Sequence, residues 1–237
     1  AKSKKHSSGL FALELAKRIS LTPGQEIGSH TFSHFYTGVK GADSLSFKED
    51  LISSIRISED KLGIRPVSLV FPRNQYNKTF IQVASDVGFR NFRTNPASWF
   101  WENTADETLI KKVFRTGDTL YPLGRRTSFQ PDSCSKGEIP ASRLLRPFRK
   151  GSIFNQIRVK RIKSELVKAC EKGEVYHLWW HPHNFGHFPE QNLAILKDLL
   201  KFIQELKMEK GLVSLSMDEF GSKISENHFS TAAKQVG

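Results

Sequence analysis

Glu26-Ile27-Gly28-Ser29-His30-Thr31-Phe32-Ser33-His34 sets a short apolar piece directly against two histidines four positions apart. That spacing reads as one helical turn with both imidazoles on one face, close enough to share a metal ion. Neutral imidazole is a common ligand of zinc, and a catalytic zinc needs three protein ligands and an open position. Taken alone, the pair fits capping or packing histidines equally well.

Working outward, hydrophobic periodicity predicts helices and strands in alternation. Residues 10–19 carry Leu10, Phe11, Leu13, Leu15, Ala16 and Ile19 in a helical pattern, broken by Thr22-Pro23-Gly24. A second helix is expected over 47–62, with Phe47, Leu51, Ile55 and Leu62 on one side and Gly63 as its stop. A strand over 67–71 closes at Pro72, a helix follows over 78–87, and another strand over 89–92. Proline and glycine make 94–150 a loop-rich insertion. Beyond it, 154–170 is helical, 175–180 an apolar strand, 192–208 a long helix and 212–217 a strand. Strands spaced by helices predict an α/β fold with a mainly parallel sheet, read as a single domain over 1–237. Residues 1–9 and 225–237 read as tails.

In such folds chemistry gathers where strand C-termini run into loops. Three polar clusters fall at those points: 30–34, 73–77 and 181–187. In the second, Phe71-Pro72-Arg73-Asn74-Gln75-Tyr76-Asn77, an arginine at a strand end can orient a carboxylate through two parallel hydrogen bonds. The turn amides can face a developing oxyanion. A turn whose Asn and Gln side chains satisfy their own backbone explains the same residues. The third cluster, Tyr176-His177-Leu178-Trp179-Trp180-His181-Pro182-His183-Asn184-Phe185-Gly186-His187, gathers four histidines and two tryptophans. His181 at the strand end suits proton donation near neutral pH. Trp180, His183 and Asn184 are candidate substrate contacts. Strand alternation makes one of Trp179 and Trp180 a core residue, and His177 reads as structural.

The 36 basic and 24 acidic residues leave a net charge of +12. Much of the excess lies in Arg143, Arg146, Arg149, Lys150, Arg158, Lys160, Arg161 and Lys163. The favoured reading is a solvated basic surface, open to an acidic glycan or an anionic surface. No apolar run is long enough to cross a bilayer and no secretory signal is read. Cys134 and Cys170 provide no disulfide framework or metal spacing.

Together these segments resemble the polysaccharide deacetylases of carbohydrate esterase family 4. Residues 26–34 are similar to that family's His-Ser/Thr-x-x-His metal segment. Arg73-Asn74-Gln75-Tyr76 looks like a variant of its Arg-x-Pro-Tyr/Phe element, with Gln75 in place of proline. Trp180-His181 resembles its Leu-x-His element. The resemblance implies a distorted (β/α) barrel and a divalent metal, zinc in type, on His30 and His34. It also implies Arg73 as positioner of a base, the Tyr76 backbone amide facing the oxyanion, and His181 as the acid that protonates the departing amine of an N-acetylated glycan. The family carries two aspartates upstream of the histidine pair, one a metal ligand and one the base. Residues 1–29 contain none. The barrel is therefore expected to be incomplete at its N-terminus, and this chain alone to turn over little. Two other readings stand beside the hydrolase. One is an inactive carbohydrate-binding relative with a groove of Trp99, Trp101, Trp179 and Trp180. The other is a basic nucleic-acid-binding protein, for which no recognised module is present.

Overall fold

A computed structural model describes residues 12–102, 104, 108–121, 123–124, 126–134 and 137–225. The tail expected over 1–9, and all but the first residue of that over 225–237, lie outside the described residues. The described residues form two compact units. One takes those within Ala1–Arg93, Lys136–Ile139 and Leu215–Gly237, the other those within Thr94–Ser135 and Pro140–Ser214.

The first unit holds helices α1 (Leu13–Ser20), α2 (Ser44–Leu62) and α3 (Lys78–Asp86), and strands β1 (Ser68–Val70), β2 (Asn91–Thr94) and β3 (Glu138–Pro140) in the order β1-β2-β3. The helix starts are chemically marked. Asp43 accepts from the Ser46 amide at 2.9 Å and Asn77 from the Phe80 amide at 3.0 Å. Gly63 ends α2 in the left-handed conformation, as its place after Leu62 predicts. β1 and β2 run parallel with Leu69 opposite Phe92. The core lies between them and the helices, where Phe47, Leu51, Ile55, Leu69, Phe71, Phe80, Phe89 and Phe92 are buried. Phe47 is its hub, with ring centroids 5.3 Å from Phe35, 5.1 Å from Phe80 and 5.9 Å from Phe71. Gly137 has φ 75° and a Cβ there would meet the Arg90 carbonyl, so only glycine lets this backbone approach β2.

Three local expectations are corrected here. The strand read at 89–92 begins two residues later, because the Phe89 amide donates to the Ala84 carbonyl at 3.1 Å and completes a helix-ending motif around Gly88. The piece before the histidines contributes only a parallel bridge, Ser29 opposite Leu69. The strand read at 212–217 is absent. Ser216 and Glu219 bond each other's amides reciprocally, Ser216 N to Glu219 Oε2 at 2.7 Å and Glu219 N to Ser216 Oγ at 3.2 Å. That capping box starts a helix over 217–225.

The second unit contains α4 (Leu109–Gly117) within the stretch read as loops, the parallel pair β4 (Arg143–Leu144) and β5 (Leu178–Trp179), and the long helices α5 (Phe154–Lys172) and α6 (Pro189–Lys210). Leu145, Ile162, Leu166, Leu199 and Leu206 form its core, with Tyr176, Leu178, Trp180 and Phe185 against them. The strand read at 175–180 reduces to β5 and a bridge from Val175 to Phe129. Cys134 and Cys170 are free thiols. No closed barrel forms among the described residues, and the fold is a mixed α/β one with parallel pairs.

The basic stripe is only in part the solvated surface expected: Arg149, Lys150 and Lys160 are exposed, but others are engaged inside the fold. Arg143 is buried, and its guanidinium meets Asp118 at 2.8 Å and Glu165 at 2.6 Å. Arg161 meets the same two carboxylates at 3.3 and 2.9 Å. Carboxylates at distant sequence positions thus offset the local charge of Arg143 and Arg161.

Candidate functional site

In the first unit the parallel arrangement places two of the clusters at one strand edge. The Ser29 amide donates to the Ser68 carbonyl at 2.8 Å and the Val70 amide to the Ser29 carbonyl at 2.9 Å. His30 therefore leaves the bridge on the edge where β1 runs into Phe71-Pro72-Arg73.

His30 and His34 do come together, with ring centroids 4.8 Å apart at 71°. The cause is not a helical turn. Residues 30–34 are irregular, and Thr31 and His34 adopt left-handed backbone at φ 66° and 58°. Asp50, buried on α2, holds this conformation: its carboxylate accepts from the Phe32 amide at 2.7 Å, the Ser33 amide at 2.9 Å and the Ser33 hydroxyl at 2.5 Å. The Thr31 hydroxyl accepts from the Phe35 amide at 2.8 Å. Asp50 carries no signal in the sequence, since its partners lie 17 and 18 positions away.

His30 Nδ1 lies 2.7 Å from the Val70 carbonyl. A carbonyl only accepts, so Nδ1 carries the proton and Nε2 the lone pair of the neutral ring, the tautomer a metal ligand needs. Among the described residues no group of three or more His, Cys, Asp or Glu is arranged to hold a metal. The two imidazoles thus meet part of the three-ligand requirement of a catalytic zinc, and the described residues do not supply the rest.

Tyr36, which sequence reasoning passed over, joins the two clusters. Its ring stands edge-on to His34 at 5.1 Å, and the Arg73 guanidinium lies 4.1 Å above it. Arg73 thus rests on an aromatic face, and no ion pair links it to a carboxylate among the described residues. Arg73 and Asn74 are both left-handed, at φ 54° and 55°, and the Arg93 side chain holds Asn74 Oδ1 at 2.7 Å. Burial lowers the Arg93 pKa to about 10. The Thr37 hydroxyl donates to the Gln75 carbonyl at 2.6 Å. Tyr76 packs its ring on Phe71 at 5.7 Å, so its side chain belongs to the core edge. Thr31, His34, Arg73 and Asn74 are all the non-glycine residues with positive φ among those described. Each such conformation costs energy and persists only where the surroundings impose it, a pattern found at working sites.

Removing the Asp50 carboxylate should release the histidine loop. Asp50→Ala is expected to lower stability by about 1–3 kcal/mol, from the amides left unpaired. Amide exchange at Phe32 and Ser33 should accelerate at least ~10-fold by NMR, and unchanged protection there would remove Asp50 from this role.

The third cluster belongs to the second unit. His181 lies two residues past β5 and caps a short 3-10 helix, Pro182–His187, whose first turn closes through the Asn184 amide and the His181 carbonyl at 3.0 Å. The His181 ring lies 5.2 Å from Trp179, edge-on, and 5.2 Å from His183. Trp179 is buried and Trp180 half-buried against the second core, so alternation sends them to opposite faces but packing engages both. His177 is structural as read: its amide donates to Ser142 Oγ at 2.9 Å and its carbonyl accepts from Ser142 and Arg143. Trp99 packs with Phe100 and Phe114, and Trp101 receives the Arg115 guanidinium at 4.9 Å. Those contacts give both tryptophans local packing roles.

Residues 4–92 match the family model for polysaccharide deacetylase. The match spans His30, His34, Arg73 and Tyr76 and stops short of His181. The fold resembles a crystal structure from Mycobacterium smegmatis provisionally assigned as a polysaccharide deacetylase, at TM-score 0.62 and 17% identity, covering 91% of this chain and 68% of that one. No curated protein matches the chain.

Proposed function

We propose, from the match of residues 4–92 to the family model for polysaccharide deacetylase, that this chain is a hydrolase releasing acetate from an N-acetylated glycan. The observation that carries this reading is the coincidence of backbone strain with the family's motif. The left-handed residues fall within the histidine and arginine clusters, where Asp50 and Arg93 brace them. The distorted (β/α) barrel remains part of the proposal, supported by the parallel pairs and the structural likeness.

In this reading His30 and His34 hold a divalent metal, with the Nε2 lone pair of His30 directed by its Nδ1 bond to Val70. When bound, such a metal supplies a Lewis acid and a water of lowered pKa. The chain's own residues do the rest. Arg73 braces His34 through Tyr36, acting as a positioning residue. The Tyr76 amide faces the oxygen that gains charge as water adds to the acetamide carbon. His181 gives its proton to the sugar nitrogen as the C–N bond breaks, leaving acetate and a free amine, while solvent accepts the proton lost by the attacking water and returns one to His181. Trp180, His183 and Asn184 contact the sugar.

The test is acetate release from an N-acetylated chitin oligomer, with added zinc and with chelator. Slow release stimulated by metal is expected, and His34→Ala should abolish nearly all of the metal-stimulated part. Equal release in chelator, or an unaltered His34→Ala protein, would contradict the assignment.

A further inference from the structure

We propose that Arg146, Arg149 and Arg158 form a binding site for a phosphoryl group, so that the glycan acted on carries a phosphate beside its N-acetylated sugar. The second clause rests on the deacetylase reading; the first does not.

The basic stripe divides into two parts of opposite character. Arg143 and Arg161 are neutralised by Asp118 and Glu165. Arg146, Arg149 and Arg158 enter no ion pair among the described residues. The Nε of Arg146 and the Nε and Nη1 of Arg158 are buried without a hydrogen-bond partner. The contact found for the Arg146 fork is a long one, Nη2 to the Arg115 carbonyl at 3.5 Å. Burial first, and then the charges of Arg158 and Arg149, push the Arg146 pKa down; burial and Arg149 do the same to Arg158. Three cations held within range of one another, with donors unmet, form an arrangement that an anion stabilises.

The segment carrying them is built, not draped. The Phe148 amide donates to the buried Asn192 side chain at 2.7 Å, and the Phe148 ring packs edge-on against Phe188 at 5.5 Å. Asn155 clasps the Arg149 backbone from both sides, accepting from its amide at 3.0 Å and donating to its carbonyl at 2.7 Å. Arg158 stands in the second turn of α5. The backbone that carries Arg146 and Arg149 is therefore held in place, which spares a ligand the ordering of the loop.

Topology sets this cluster beside the third histidine-bearing segment. β4 and β5 are parallel with Leu144 opposite Trp179, and the Leu145 amide continues the ladder to the Trp179 carbonyl at 2.8 Å. Arg146 and His181 each lie two residues past that pair, so both chains leave the ladder at the same edge. Guanidinium forks match the oxygens of a phosphoryl group, and its two charges suit three cations better than the single charge of a carboxylate.

The experiment is calorimetric titration of the full chain with inorganic pyrophosphate at low ionic strength. Binding is expected, weakened at least ~10-fold in Arg149→Gln, whose exposed side chain can change without disturbing the core, and further in Arg158→Gln. A second readout compares acetate release from N-acetylglucosamine 1-phosphate and from N-acetylglucosamine. The phosphorylated sugar should show the lower KM, and Arg149→Gln should erase the difference. Absence of pyrophosphate binding, or equal binding by Arg149→Gln, overturns the site. Pyrophosphate binding without acetate release from either sugar supports the anion site and counts against the deacetylase reading. Binding to phosphatidylglycerol vesicles that is lost in Arg149→Gln, with none to pyrophosphate, would assign the anion to a lipid surface and overturn the phosphorylated-glycan form.

Discussion

Glu165→Ala is expected to destabilise the protein by about 3–5 kcal/mol, the largest effect on folding of any single change considered, because it strands buried cations. Its two carboxylate oxygens serve four partners: Arg143 Nη2 at 2.6 Å, Arg161 Nε at 2.9 Å, Arg143 Nε at 3.0 Å and the Tyr176 hydroxyl at 2.7 Å. Asp118 completes the network with 2.8 Å to Arg143 Nη1, and its carbonyl accepts from both arginines. Burial alone would lower the Arg143 pKa, but Glu165 above all holds it above its ordinary value. The network pins β4, α5 and the segment at Asp118 to one another, which fixes the ladder from which Arg146 and His181 emerge. A chemical denaturation midpoint reads the loss. The exposed Lys17–Glu14 pair serves as control, since its disruption should cost well under ~1 kcal/mol. A Glu165→Ala loss no larger than the control's would mean that the network contributes specificity alone.

Tyr176 adds a pH signature. Burial, and the adjacent Glu165 carboxylate, hold its phenol well above the usual value of 10.0. The group stays protonated in the fold while it ionises near pH 10 in the unfolded chain, so its contribution is complete below about pH 10 and is withdrawn as the pH rises beyond that.

The second large effect concerns chemistry. His181→Ala is expected to lower kcat/KM for acetate release by about 10²- to 10⁴-fold, the range for loss of a general acid. The loss should fall mainly on kcat and remove the alkaline limb of the pH profile. The ring sits between Trp179 and His183 at the start of a short 3-10 helix, so truncation there leaves the second core intact. A decrease of less than ~10-fold, or one carried by KM alone, would make His181 a binding residue.

Much of the architecture is legible in the residues. Helices α2, α3, α5 and α6 follow from their apolar spacing, and Gly63 ends α2 where the pattern runs out. The three clusters lie after Ser29, β1 and β5, where a βα reading puts them. What the sequence hides is mostly long-range. The pairing of His30 with His34 is legible, but its cause is not, because the loop is shaped by a carboxylate on another element. Asp118 and Glu165 likewise lie far from the arginines whose charge they cancel. The strand read at 212–217 is a different failure. Its apolar alternation ends in Ser216-Met217-Asp218-Glu219, and the capping box in those four residues outweighs a short alternating run. Tyr36 looks like an ordinary half-buried aromatic until Arg73 is found above it.

Whether the imidazoles at 30, 34 and 181 serve one reaction is decided by acetate release in single and combined alanine variants, assayed with zinc. Groups acting as a unit are non-additive, so each single change should abolish nearly all metal-stimulated release, and combining His34→Ala with His181→Ala should lower it little further. Independent losses that multiply in the double variant, or a His181→Ala protein as active as the parent, would contradict a common role for the three imidazoles in that reaction.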